Sequence, residues 1–262
     1  MRRPLAARKI PGGRCSCDQH VGLDIYVGSL TRYYTHDWET VIQRMGREQG
    51  IPVVIQRANA SPDAITDPAT IRDLILTWRS ALNRSMQEAG LIDGDLDWSE
   101  EPQTPYFTDK PGRDCYGAVQ LLAAHEEEGK PRFGSAYPAK LRFDWGNDSA
   151  LKRRLRSRAT PRYAHLYGCE IWLPHEMKDS FLGPSPAGNQ VRIGSVFELA
   201  RNLESLNERT FKGGAEDRKR WAAEMPNGED VGFEPNAKTG LAIILELAET
   251  AARERLPMVL DY

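Results

Sequence analysis

The chain lacks the short motifs that assign a sequence to the commonest nucleotide-binding and hydrolase classes. It has no G-x-x-x-x-G-K-[ST] segment, which excludes an ordinary P-loop NTPase, and no G-x-G-x-x-G segment follows its first predicted strand. It also lacks G-x-S-x-G, the turn that carries the nucleophilic serine of α/β-hydrolases. Function must therefore be sought in residues that the fold brings together.

The chain also has few cysteines, no long apolar run and no excess of positive charge. The 262 residues include four cysteines, too few for a disulfide framework, and Cys115 and Cys169 stand in apolar segments typical of reduced core thiols. No run approaches the roughly 18 apolar residues of a membrane span, and the net charge is −2 at pH 7. Nonspecific binding to nucleic acid depends on an excess of Lys and Arg side chains that neutralise phosphate groups, and this chain has no such excess. We therefore expect a soluble cytoplasmic protein that binds neither nucleic acid nor membrane.

Residues 1–20 differ in composition from the rest of the chain. They carry five basic residues against one acid, with a Pro-Gly-Gly segment and no apolar period. The two arginines near the start are not followed by an apolar stretch, so the pattern does not predict an export signal. We interpret 1–20 as a disordered basic tail or an upstream extension of the reading frame, and 21–262 as a single α/β domain.

Strand and helix patterns alternate along this domain. Strands are predicted over residues 21–28, 51–56, 140–143, 165–173 and 257–262. Helices are predicted over residues 37–49, 67–89, 114–128, 149–158 and 195–206, around residue 221, and from residue 239. The alternation favours an α/β fold with a single mixed, partly parallel sheet, flanked by helices and interrupted by irregular insertions.

The segment 22–40 holds the strongest functional signal. An apolar alternation through Leu23, Ile25 and Val27 predicts a buried strand, and the residues after it are polar and aromatic. Ligands of open α/β sheets bind beyond the carboxyl ends of strands, on turns of this kind. We therefore predict a ligand site here. Its substrate-binding side chains are Arg32, Tyr33, Tyr34 and Trp38, and its catalytic side chains are His36 and Asp37.

Two further catalytic candidates, His175 and Glu176, follow the strand predicted at 165–173. If that strand runs parallel to the first and last strands, the three carboxyl ends share one edge of the sheet. A histidine with a pKa near roughly 6.5 exchanges protons at neutral pH, and a carboxylate can orient its ring. The same groups suit a divalent metal ion, although the sequence identifies no cofactor, and Arg32 suits an anionic group on a substrate.

Two functions from different classes are compatible with these residues. One is an enzyme, such as a hydrolase or lyase, that uses His36 and Asp37 on a small-molecule ligand. The other is a noncatalytic module that binds a protein partner, such as a bacterial immunity or adaptor protein, because Tyr, Trp and Arg are the usual interface anchors. A concave pocket favours the first function, and a flat patch with Trp38 exposed favours the second. A third, structural interpretation is that His36 and Asp37 cap the following helix, with Glu39 at capping-box spacing.

The segment 152–162 is strongly basic and has the composition of an anion or RNA contact. On a helix these basic side chains spread round most of the circumference, and the acid-rich segment 93–101 is a candidate partner for them. We therefore predict a solvated or internally paired helix rather than a nucleic-acid interface.

Overall fold

The structure is a computed structural model that describes residues 23–51, 67–129, 145–157, 159–224, 226 and 232–261. Strands in these residues form one sheet in the order β2-β1-β6-β3-β5-β4. They are β1 (Asp24–Val27), β2 (Phe107–Asp109), β3 (Ile171–Leu173), β4 (Phe181–Pro184), β5 (Gln190–Ser195) and β6 (Met258–Asp261). β3 and β5 are parallel and the other neighbours are antiparallel, which confirms a mixed, partly parallel sheet.

Eight α-helices in the described residues accompany this sheet. They are α1 (Leu30–Thr35), α2 (Val41–Glu48), α3 (Pro68–Glu88), α4 (Gly112–Glu127), α5 (Ser149–Arg156), α6 (Val196–Arg209), α7 (Ala215–Ala223) and α8 (Phe233–Glu254). None of these helices is long and apolar enough to cross a bilayer. The segment 1–20, the strand predicted at 140–143 and all but the first residue of the strand predicted at 51–56 lie outside the described residues.

The sheet has an apolar core on each face, so the molecule has three layers. Successive side chains of a strand point to opposite faces. On β1, Ile25 and Val27 face a core built with α4, α6 and α8, whereas Tyr26 faces a second core built with α1 and α3. All four residues of β1 are buried, as expected for a strand covered on both sides.

Local capping explains where several helices begin. Asp67 accepts from the backbone N–H of Thr70, with Pro68 in the first turn of α3, as the sequence predicts. α2 begins at Val41, later than predicted, because Thr40 and Gln43 form a reciprocal capping box. The interpretation of His36 and Asp37 as caps of this helix is therefore wrong.

The direction of β6 differs from the parallel arrangement considered from the sequence. β6 is antiparallel to both β1 and β3, so β1 and β3 share a direction and β6 opposes them. The turns after β1 and β3 therefore lie at the same edge of the sheet. Asp261, at the end of β6, pairs in register with Asp24 at the start of β1. An apolar strand pattern carries no direction, which is why the sequence could not supply it.

The basic helix α5 is internally paired, but its partner is the acidic end of α4 rather than residues 93–101. Arg153 donates to Glu128 at 2.7 and 2.8 Å, and Arg154 pairs with Glu127 at 3.2 Å. Beyond α5, Arg162 pairs with Glu126 at 2.8 Å. These contacts confirm the predicted internal pairing of the basic segment.

Candidate functional site

The first strand leads into a short helix that the sequence analysis did not predict. A Cβ atom at Gly28 would collide with the Tyr26 ring, so this tight turn requires glycine. The Ser29 hydroxyl then accepts from the backbone N–H of Arg32 at 3.4 Å and begins α1. α1 ends at His36, which adopts a left-handed conformation with φ 59° and donates its backbone N–H to the carbonyls of Arg32 and Tyr33.

A buried carboxylate holds the other end of α1. Glu100 accepts from the backbone N–H groups of Leu30 and Thr31, at 3.1 and 2.7 Å, and from the indole Nε1 of Trp98. The residue is only 4% exposed. A negative charge at the first turn opposes the positive end of the helix dipole and satisfies N–H groups that have no partner within the helix. Glu100 therefore fixes α1 to the loop that follows α3.

The aromatic side chains of the predicted site form a packed cluster on one side of α1. The Tyr26 ring lies 5.4 Å from that of Tyr33 and 5.1 Å from that of Trp38, and the rings of Tyr33 and Tyr34 are 5.1 Å apart. Trp38 is 6% exposed. The Tyr33 hydroxyl donates to Asp261 at 2.8 Å, and burial raises the pKa of Tyr34 to about 12. These rings join α1 to the sheet as part of the second core.

The Arg32 guanidinium is held in one position by four different groups. It donates to the carbonyls of Thr104, at 2.7 Å, and Pro102. Its Nε lies 3.5 Å from a carboxylate oxygen of Asp37, and its centre lies 5.1 Å from the Tyr106 ring centroid. An anionic substrate could engage Arg32 in a two-pronged contact, as the sequence predicts, only in competition with these partners.

A cavity of about 660 Å³ lies between α1, the first turns of α3 and the loop around Glu100. This volume is in the range of small-molecule sites. Its described polar lining is Ser29, Thr31, Arg32, Thr35, Asp37, Arg72, Asp73 and Glu100. Its apolar lining is Pro68, Ala69, Leu76 and Pro102. Two of the polar atoms, Thr31 Oγ1 and Arg72 Nε, are buried and have no hydrogen-bond partner among the residues that the structure describes.

The structure brings only part of the predicted site to this cavity. Arg32 and Asp37 line it, and the Asp37 side chain is 80% exposed. His36 is exposed at the end of α1, and His175 is half-buried in the turn after β3. Neither histidine is among the described lining residues. Tyr33, Tyr34 and Trp38 lie in the aromatic cluster behind α1.

The Glu176 carboxylate is also engaged away from the cavity. It pairs with Arg201 of α6, and its side chain is 63% exposed. This surface ion pair joins the turn after β3 to α6, and such pairs contribute little to stability.

Sequence reasoning missed several residues that the cavity uses. Thr31 lies within the predicted cluster but was not among the predicted side chains. Arg72 and Asp73 lie in α3, and Glu100 lies in the loop after it, so both places are distant in sequence from the first strand. One signal was present in that loop: Trp98 stands among Pro, Gly and acidic residues. A large aromatic side chain in a polar segment has to be buried against the body of the protein.

Among the residues that the structure describes, no group of three or more His, Cys, Asp or Glu is placed to hold a metal ion. Cys115 and Cys169 are free and buried, which confirms them as core thiols. Burial raises the pKa of each thiol to about 12, so neither is an activated nucleophile.

The chain matches no protein-family model, and no curated protein or solved structure shows significant similarity to it.

Proposed function

We propose that the protein binds a small polar molecule in the cavity between α1 and α3. The observation that carries the proposal is a pair of buried polar atoms in the cavity wall, Thr31 Oγ1 and Arg72 Nε, for which the described part of the chain offers no hydrogen-bond partner. Buried polar groups are nearly always hydrogen-bonded, and a ligand in the cavity can supply the partners. The cavity also lies beyond the carboxyl end of β1, where α/β sheets place their ligands.

Hydrolase or lyase chemistry is a narrower form of the same proposal. Asp37 is the predicted catalytic residue that lines the cavity, and its carboxylate is well placed to exchange protons with a bound molecule. His36 precedes it at the end of α1. Once a ligand is known, its breakdown should be followed with wild-type protein and Asp37→Asn. Turnover lost in the variant with little change in ligand affinity supports an enzyme, and an unchanged ligand in both supports a binding protein.

A noncatalytic protein-binding module, of the immunity or adaptor kind, is the second candidate. Trp38 is buried, so it is not available as an anchor for a protein partner. Instead, α2 presents Ile42 and Met45, which are 43% and 51% exposed and lie three residues apart on the helix. Replacing both by Ser should abolish capture of a partner without reducing stability, because neither side chain is buried.

The proposed cavity is tested most directly by filling it. Ala69 is an exposed residue of the first turn of α3 and lines the cavity, so Ala69→Trp should block ligand entry without disturbing the core. Ala81 is an exposed residue of the same helix, roughly three turns further on, and does not line this cavity. Ala81→Trp is therefore the matched control.

The measurement is a saturation-transfer NMR screen of small polar molecules against the three proteins. Compounds that bind wild type and Ala81→Trp but not Ala69→Trp support the proposal. A screen in which no bound compound distinguishes the two tryptophan variants contradicts it.

A further inference from the structure

The charged side chains around the cavity are not balanced. The described lining has two cations, Arg32 and Arg72, against three carboxylates, Asp37, Asp73 and Glu100. Both cations are already engaged, Arg32 with Asp37 and two carbonyls, and Arg72 with a glutamate outside the cavity. Asp73 and Glu100 form no ion pair with another described residue. The cavity therefore has an excess of negative charge.

Of these two carboxylates, Glu100 is the one whose charge is more costly to leave without a partner. It is almost fully buried, and a buried charge is costly unless it is paired or well hydrogen-bonded. Among described groups, Oε1 accepts from Leu30 and Trp98, whereas Oε2 accepts only from Thr31. A carboxylate oxygen can accept two hydrogen bonds, so Oε2 can accept one more. The hydroxyl oxygen of Thr31, which has no partner within the described ranges, is a second acceptor in the same wall.

An anionic ligand fits this cavity poorly. The N-terminus of a helix is the usual backbone site for an anion, but Glu100 already occupies the N-terminus of α1. The Arg32 guanidinium donates to backbone carbonyls. Among the described lining residues, the buried donors without a described partner are Arg72 Nε and the Thr31 hydroxyl, and only the first of these belongs to a cation. A bound anion would also add to the negative charge of three lining carboxylates.

On the basis of the proposed binding function, we infer that the ligand is a small organic cation that carries at least one ammonium group. The ammonium N–H groups donate to the carboxylates of Glu100 and Asp73 and to the Thr31 hydroxyl. The hydrocarbon part of the ligand lies against Ala69 and Leu76. An acceptor elsewhere on the molecule suits Arg72 Nε.

The test uses four-carbon probes that differ only in their end groups. Butylamine, 4-aminobutan-1-ol and 1,4-diaminobutane are the cationic probes, butane-1,4-diol is the neutral one, and succinate is the anionic one. Binding to the full chain is measured by isothermal titration calorimetry in dilute buffer, where charge interactions are least screened. We expect the best amine to bind at least about tenfold more tightly than the diol, a difference of about 1.4 kcal/mol. Succinate should not bind.

Variants of the protein show whether the amines bind in the cavity. Asp73→Asn removes one exposed carboxylate of the lining and should weaken amine binding about three- to tenfold. Asp93→Asn makes the same change in charge in the loop after α3, which contacts the last turns of that helix about 20 Å from Asp73, and should change affinity less than about twofold. Ala69→Trp should abolish amine binding. Thermal denaturation of each variant checks that it is folded.

The outcomes separate this inference from the function on which it rests. If the diol or succinate binds better than every amine and is displaced by Ala69→Trp, the ligand class is wrong and the cavity remains the binding site. If amines bind equally to wild type, Asp73→Asn and Ala69→Trp, they are attracted to the surface in general, and the inference is overturned. If no probe and no compound of the wider screen responds to Ala69→Trp, the proposed function itself fails.

Discussion

Glu100→Gln tests whether a buried carboxylate holds α1 in place. In the structure the backbone N–H groups of Leu30 and Thr31 and the Trp98 indole all donate to Glu100. Glutamine has nearly the same shape but only one oxygen, so its NH₂ group must face at least one N–H donor. The substitution therefore breaks a hydrogen bond without opening a space.

The expected loss follows from three contributions. A hydrogen bond to a charged group contributes about 1.5–3 kcal/mol, and a negative charge at a helix N-terminus contributes about 0.3–1 kcal/mol. Removing the buried charge also removes its desolvation cost, which acts in the opposite direction. We therefore expect the free energy of unfolding to fall by about 1.5–3 kcal/mol.

Urea denaturation of wild type, Glu100→Gln and Glu101→Gln measures this difference. Glu101 is the adjacent residue, its side chain is half exposed, and it pairs with Arg72 at the surface. Such a pair contributes roughly 0–1 kcal/mol, so Glu101→Gln is a control for the chemical change itself. If the two variants lie within about 0.5 kcal/mol of each other, Glu100 does not anchor α1 and the reasoning is refuted.

The remaining predictions concern helix packing and a buried histidine. Gly240→Ala places a methyl group against the Cys115 carbonyl of α4, so urea denaturation should show a loss of about 1–3 kcal/mol. Gly146→Ala, where a Cβ meets no atom within 4 Å, should change stability little. The Nδ1 atom of His165 accepts from the Ser195 N–H at 2.9 Å, and burial holds the pKa of His165 below its usual value. The unfolded chain then binds a proton that the folded chain does not, so stability should fall as the pH drops below about 6.5. His165→Asn should reduce this fall between about pH 7.5 and pH 5.5, and equal slopes in the two proteins would contradict the assignment.

Elements with strong local signals could be predicted from the sequence. α3 has an N-cap at Asp67, Pro68 in its first turn and an apolar stripe, and it ends just before Gly90. The terminal strand and the alternation of strands with helices also gave the correct fold class. In each case the information lies within about 20 neighbouring residues, which is the range that periodicity and capping can report.

Elements that depend on distant partners could not be predicted. α1 has six residues, too few for a periodic pattern, and the carboxylate that caps it lies 70 residues away from Leu30 in the chain. The β4–β5 hairpin was missed because Gly183 and Pro184 interrupt its apolar alternation. The cavity combines α1, α3 and a loop, so no single segment of sequence displays it.

The rule that ligands bind beyond strand ends predicts a site after β1, and the helical geometry of α1 explains why only some of the predicted side chains line the cavity there. Residues of an α-helix advance by about 100° each. Leu30, Tyr33 and Tyr34 therefore share one face, and Arg32 lies with Thr31 and Thr35 on the opposite face. The first face packs on the sheet within the second core, whereas the opposite face lines the cavity. A segment that looks like one cluster in the sequence is thus divided by the helix into a face that packs on the sheet and a face that lines the cavity. The large aromatic side chains hold the helix in position, and the small hydroxyl side chains line the cavity in which we propose that a ligand binds.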